Sequence, residues 1–247
     1  MQLFSHSPEA RGLGLRKVKM RAPVPNAIVI GLVFAMISYV LSSISQAITM
    51  GPLLNEMMTN PENYIKLIES GYTPDVSFFG ALLSSIIEIV SVIMSFGFMI
   101  YALTIARDYP AGFGTLFDGF GMFLKVIWMN IRMGIVIFLW SMLLFVPGII
   151  AAYSYRQTAY LLMDHPDWTV KQCMRESKRL MEGHKFDLFF LDLSFIGWIA
   201  LTIIPFVSVY VLPYTETTYA IFYNQLIGWQ PDESESAVLP EKSPWEY

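Results

Sequence analysis

Long apolar runs alternating with short charged segments dominate this chain. The first run extends from about Pro25 to Met50. With a rise of 1.5 Å per residue, about 20 apolar residues cross a hydrocarbon core of ~30 Å, so this run predicts a transmembrane helix. A second helix is expected from about Phe78 to Ala106. The aromatic stretch GFGTLFDGFGMFLKVIWMNIRM then reads as an interfacial segment leading into a third helix, with Lys125 snorkelling to the headgroups. Further helices are expected from about Ile149 to Met163, Leu188 to Phe206 and Val211 to Leu226.

Charge orients these runs. Arg11, Arg16, Lys17, Lys19 and Arg21 precede the first one and place the N-terminus in the cytoplasm. Residues 51–76 carry Glu56, Glu62, Glu69 and Asp75 against Lys66 and suit an external loop. Within it, Asn60-Pro61 predicts the start of a short helix and Gly71 its stop. If residues 133–163 formed one kinked span, the cations Lys171, Arg175, Lys178, Arg179 and Lys185 would lie outside. A tight external turn at Pro147-Gly148 keeps all five inside, so helices three and four are expected to form a hairpin. Pro205 and Pro213 supply another external break.

The expected architecture is all-α: a polytopic transmembrane bundle of six helices with both termini cytoplasmic. Residues 1–22 form a basic N-terminal segment, residues 23–228 the bundle, and residues 229–247 an acidic, disordered tail. Residues 169–183 predict a cytoplasmic amphipathic helix. Thr169 and Gln172 make a capping box, Val170, Cys173, Met174, Leu180 and Met181 share one face, and Gly183 ends the run. Its cations Lys171, Arg175, Lys178 and Arg179, with His184 and Lys185, are expected to contact anionic lipid of the inner leaflet, each contributing roughly 1 kcal/mol.

Composition agrees with the pattern. Of the 247 residues, 55% are hydrophobic and 15% charged, too apolar for an ordinary soluble domain. The single cysteine, Cys173, excludes an intrachain disulfide framework. The first apolar run is longer than a cleavable signal and lies too far from Met1, so it is expected to stay in the protein.

An internal echo suggests a parallel repeat of helices three and four by helices five and six. Tyr155-Arg-Gln-Thr158-Ala-Tyr160 resembles Tyr214-Thr-Glu-Thr217-Thr-Tyr219, and Phe117-Asp118-Gly-Phe120 resembles Phe186-Asp187-Leu-Phe189. The competing explanation is that Phe and Tyr are simply abundant.

Four ionisable residues fall inside apolar runs, where each costs at least ~2.5 kcal/mol without a partner. They are Glu88, Arg132, Arg156 and Asp192, and depth suggests pairing Arg132 with Asp192 and Glu88 with Arg156. Such a set either fixes helix register or lines a ligand route. Tyr153, Tyr155, Tyr160, Tyr214 and Tyr219 are the candidate aromatic residues lining the bundle, as packing or as part of a binding surface. Asp164, His165, Asp167, His184, Asp187 and Asp192 gather near the inner surface, but their spacings match no zinc signature. No phosphate-binding loop, nucleophile elbow or dinucleotide fingerprint is present. No catalytic residue, metal, cofactor or nucleic-acid partner is therefore expected.

The stretches LFVPGIIAAYSYRQTAYLLMDHPDWT, SKRLMEGHKFDLFFLDLSFIGWIAL and VLPYTETTYAIFYNQL resemble the bacterial membrane-protein family termed domain of unknown function 975. The resemblance covers about Leu116 to Leu226 closely and the first two helices in layout only. It implies a multi-pass protein of the bacterial plasma membrane, distantly similar to the membrane region of some glycerophosphodiester phosphodiesterases, whose catalytic domain has no counterpart in these residues. It implies no activity. The leading expectation is a non-enzymatic accessory or scaffold component of envelope machinery, anchored in the membrane beside a membrane-protein partner or a second copy of itself. The alternatives are a small transporter or lipid-handling protein using the intramembrane charges, and a membrane-embedded enzyme acting on a lipid headgroup. Whether those charges neutralise one another in a dry interior or face an open cavity separates the first two.

Overall fold

The computed structural model describes residues 10–15, 27–71, 77–202 and 205–229. Among them every regular element is helical: α1 (10–15), α2 (Ala27–Thr59), α3 (Pro61–Glu69), α4 (Phe78–Ala106), a 3₁₀ helix (Phe113–Met122), α5 (Phe123–Leu143), α6 (Phe145–Tyr155), α7 (Thr158–Asp164), α8 (Val170–Leu180), α9 (Lys185–Leu201) and α10 (Pro205–Leu226). Among the described residues, three stretches are long and apolar enough to cross a membrane: Ala27–Gly51, Phe78–Ala106 and Phe113–Leu143. The expected disordered tail lies outside the described residues except for Trp229, as does most of the basic N-terminal segment.

The chain divides into two compact units, residues 35–92 and residues 1–34 with 93–247. In the smaller unit α2 runs on past Met50 to Thr59, so the expected external loop begins later than its charges suggested. Asn60 then caps α3 as expected, its Oδ1 accepting from the Asn63 amide at 3.4 Å, and Gly71 follows with φ +70°. The Ser45 hydroxyl of α2 donates to Glu88 Oε1 of α4 at 3.3 Å.

In the larger unit, glycines set the closest approaches. Gly97 of α4 meets the Leu116 backbone, and Gly119 of the 3₁₀ helix meets Ile93 O, where an added Cβ would stand 2.6 Å away. Gly31 of α2 fits against Pro213 and the Val209 carbonyl, each about 3 Å from where a Cβ would sit. Pro213 removes a backbone donor and frees the carbonyl one turn earlier. It does not break the chain: contrary to the sequence expectation it lies inside α10, and Gly31 provides the space that its ring and the freed carbonyl need. Pro205 stands at the first position of α10.

The hairpin is formed by α5 and the pair α6–α7. Near its tip an added Cβ on Gly148 would stand 2.9 Å from Ser141 Cα, and at its open end Lys125 Nζ donates to the Pro166 carbonyl. The reversal itself is not at Pro147-Gly148. It occurs at Leu144, in extended backbone (φ −160°, ψ 144°), and Pro147 and Gly148 belong to the first turn of α6. Proline fits there because first-turn amides have no helical partner.

α8 carries the expected capping box, with Thr169 Oγ1 accepting from the Gln172 amide and Gln172 Oε1 accepting from the Thr169 amide. Its apolar face packs on α6 and α7, burying Val170, Cys173 and Met174, while Lys171, Arg175, Lys178 and Arg179 are exposed. The Glu176 carboxylate accepts from Arg179, which holds its carboxyl below the usual range. Burial pushes the Cys173 thiol above its usual value, so less thiolate forms at any pH. Maleimide labelling of Cys173 is therefore expected to be slow in the folded protein and to become fast on unfolding. Equal rates in the two states would contradict its burial.

Candidate functional site

The site begins at an interruption. α6 ends at Tyr155 and α7 begins at Thr158, leaving Arg156 and Gln157 in a turn. A break leaves backbone groups without their helical partners, and α8 supplies the replacement. Ser177 Oγ donates to the Ser154 carbonyl at 2.9 Å and accepts from the Gln157 amide at 3.2 Å, and Ser177 is fully buried. Ser177→Ala strands both groups and is expected to cost about 1–3 kcal/mol. Thermal unfolding in detergent tests this: an unchanged melting temperature would show that the break does not depend on Ser177.

The turn projects Arg156 toward α9 and α10. Its guanidinium carbon lies 4.9 Å from the Tyr219 ring centre. Among the described residues it makes no hydrogen bond, and the side chain is exposed although protein surrounds most of it. Glu216 and Asp192 are the carboxylates whose charges act on it. Asp192 is already engaged: Tyr153 donates to Oδ2 at 2.9 Å and Tyr219 to Oδ1 at 2.8 Å. Glu216, half-buried one turn before Tyr219, makes neither a hydrogen bond nor an ion pair among the described residues. Tyr160 stacks on Tyr223 with ring centres 5.1 Å apart, and its buried hydroxyl, within electrostatic reach of Glu216, Arg156 and Tyr219, has no hydrogen-bond partner among the described residues. Thr217 Oγ1 is likewise buried and unpartnered.

The sequence candidates thus separate. Arg156, Asp192, Tyr153, Tyr160 and Tyr219 come together. Arg132 is half-buried, and Asp192 takes its bonds from tyrosines rather than from it. Glu88 lies in the smaller unit with Ser45, and Tyr155 is half-buried. Tyr214 accepts from Arg11 Nε of α1 at 3.1 Å, and the same guanidinium stands 5.8 Å from the Phe195 ring centre. Glu216 was not among the intramembrane candidates, although the rule that singled out Asp192 applies to it equally.

A second polar cluster lies where α4, α7 and α10 end. Arg107 reaches both oxygens of Asp164 at 2.7 Å and donates from Nε to Asn224 Oδ1 at 3.0 Å, while Tyr223 donates to Asp164 Oδ2 at 2.7 Å. Trp229 lies 5.6 Å from the same guanidinium, measured to its ring centre. The remaining carboxylates near this end are dispersed: Asp187 Oδ2 pairs with His184 Nδ1 at 3.0 Å, and His165 stacks on Trp168. Among the described residues no three such groups stand close enough to hold a metal ion.

An all-helical chain with three long apolar helices is that of a membrane protein. Residues 142–229, which build both polar clusters apart from Arg107, match the family described as protein of unknown function DUF975. No curated protein and no solved structure matches the chain. The similarity to the membrane region of glycerophosphodiester phosphodiesterases is not shown.

Proposed function

We propose that this is a lipid-handling protein of the bacterial plasma membrane that receives a lipid headgroup in the polar site at the α6–α7 break. One observation carries this reading: among the described residues the Arg156 guanidinium makes no hydrogen bond, and it forms no ion pair with the two carboxylates whose charges act on it. Charges that served only to fix helix register would neutralise one another in a dry interior, since an unpaired charge there is expensive. Charges left without mutual pairing favour a ligand over the scaffold role that the sequence put first. In this reading the chain crosses the membrane six times with both termini cytoplasmic, as its charge distribution supports, and α8 turns its basic face toward anionic headgroups. The parallel repeat would bring Tyr160 and Tyr219 to the site from equivalent positions.

Two experiments test this. Native mass spectrometry of protein extracted gently from its own membrane is expected to find stoichiometric phospholipid on the wild type and none on Arg156→Gln. A wild type that carries no lipid, or brings down one dominant membrane protein instead, would return the scaffold reading to first place. For topology, single cysteines at Phe145 and Lys178 in a Cys173→Ser background are expected to label from the outside and the inside of intact cells, respectively. Labelling of both from one side would overturn the six-span arrangement.

A further inference from the structure

We infer that the site selects a phosphate ester carrying a primary ammonium group, an inference that rests on the lipid-handling reading above. Its unspent groups define what fits. On one side are donors: the guanidinium of Arg156, with no hydrogen bond among the described residues, and the Tyr160 hydroxyl, on a residue 2% exposed and without a partner. A guanidinium fork matches phosphate oxygens in pairs, and a tyrosine hydroxyl adds a third bond. On the other side is the Glu216 carboxylate, the uncommitted acid of the site among the described residues, because both oxygens of Asp192 are taken by Tyr153 and Tyr219.

A simple anion would satisfy Arg156 and leave Glu216 unpaired and repelled; a simple cation would do the reverse. A phosphate and an ammonium joined by two carbons satisfy both sides, and they suit an acid and a base that act on each other electrostatically without an ion pair among the described residues. The aromatic faces decide between amines. The Tyr219 ring carries Arg156 and the Tyr160 ring carries Tyr223, so these two rings are already engaged and do not favour a quaternary ammonium. A primary ammonium needs no cage, because its N–H groups bond the Glu216 carboxylate directly. The source is either an aminophospholipid of the bilayer or a soluble phosphoamine.

The test uses the full chain in nanodiscs of equal parts phosphatidylethanolamine, phosphatidylcholine and phosphatidylglycerol, with retained lipid read by native mass spectrometry. Wild type is expected to retain phosphatidylethanolamine over phosphatidylcholine by about tenfold or more, because the quaternary headgroup leaves Glu216 without its bond. Glu216→Gln is expected to keep phospholipid but bring that ratio close to one. Arg156→Gln loses all three lipids, while Arg156→Lys, which keeps the charge without the fork, retains less lipid with the preference intact. In a second arm, binding of soluble phosphoethanolamine to the detergent-solubilised protein, lost in both neutral variants, identifies a soluble source; binding in nanodiscs alone identifies the bilayer. An unchanged ratio in Glu216→Gln, or phosphatidylglycerol retained best by the wild type, overturns the ammonium assignment while leaving lipid handling in place. If neither neutral variant alters retention, both readings fall together.

Discussion

Gly97→Val is expected to leave little folded protein. A Cβ at Gly97 would overlap the Leu116 carbonyl oxygen and stand 2.7 Å from the carbonyl carbon, and Gly119 returns the contact against Ile93 O and Gly97 N. Both obstacles are backbone, so no side-chain rotation makes room. Close backbone approach through small residues holds apolar helices together in membranes, where the hydrophobic effect between helices is weak. Overpacking ordinarily costs about 1–3 kcal/mol, and a clash against backbone on both sides of a crossing belongs at or above the upper end. Gly134→Ala is the control, since nothing lies within 4 Å of a Cβ there and alanine in a helix gains about 0.5–1 kcal/mol. Size-exclusion profiles and melting curves of the two variants settle the point. A Gly97→Val protein that elutes and melts like the wild type would show that α4 and the 3₁₀ helix do not meet this way.

The second large effect is expected where α4, α7 and α10 end. Asp164→Asn removes the charge that Arg107 grips with both Nη1 and Nη2, and the two side chains are only 7% and 11% exposed. Breaking a buried pair on one side costs about 3–5 kcal/mol, because the surviving charge stays buried without its partner. Arg107→Met combined with Asp164→Leu should recover much of that loss, as apolar replacements of buried pairs often do. Tyr223→Phe removes one donor to Asp164 and should cost less, about 1 kcal/mol. Unfolding curves for the singles and the double form the test. A double variant as unstable as the sum of the singles would mean that Arg107 and Asp164 act independently.

What the sequence disclosed follows from the range of each signal. Helix α3, the capping box of α8 and the stop at Gly183 were legible because a cap and its partner lie within four residues. The hairpin was legible from charge, which reports on sidedness over tens of residues. Its reversal was misplaced by three residues because proline and glycine mark the first turn of a helix as readily as a loop. Pro213 misled for a different reason: what lets α10 continue through it is Gly31, far away in sequence. Arg107 carried no signal of pairing, since its partners Asp164 and Asn224 are 57 and 117 positions away. Glu216 sat in plain view inside the Tyr214–Tyr219 echo, where the repeated tyrosines drew the eye from the one acid between them.

The separation of Arg107 from Asp164 also orders events during synthesis. Arg107 leaves the ribosome 57 residues ahead of its partner, which at about 5–20 residues per second is a lead of roughly 3–11 s. Throughout that interval α4 has its apolar length complete and a cation just beyond its last turn, with Asp164 not yet made. The 3₁₀ helix, α5 and α6 all emerge before the carboxylate that Arg107 grips has been made. The guanidinium is therefore half of a latch that closes only when α7 arrives.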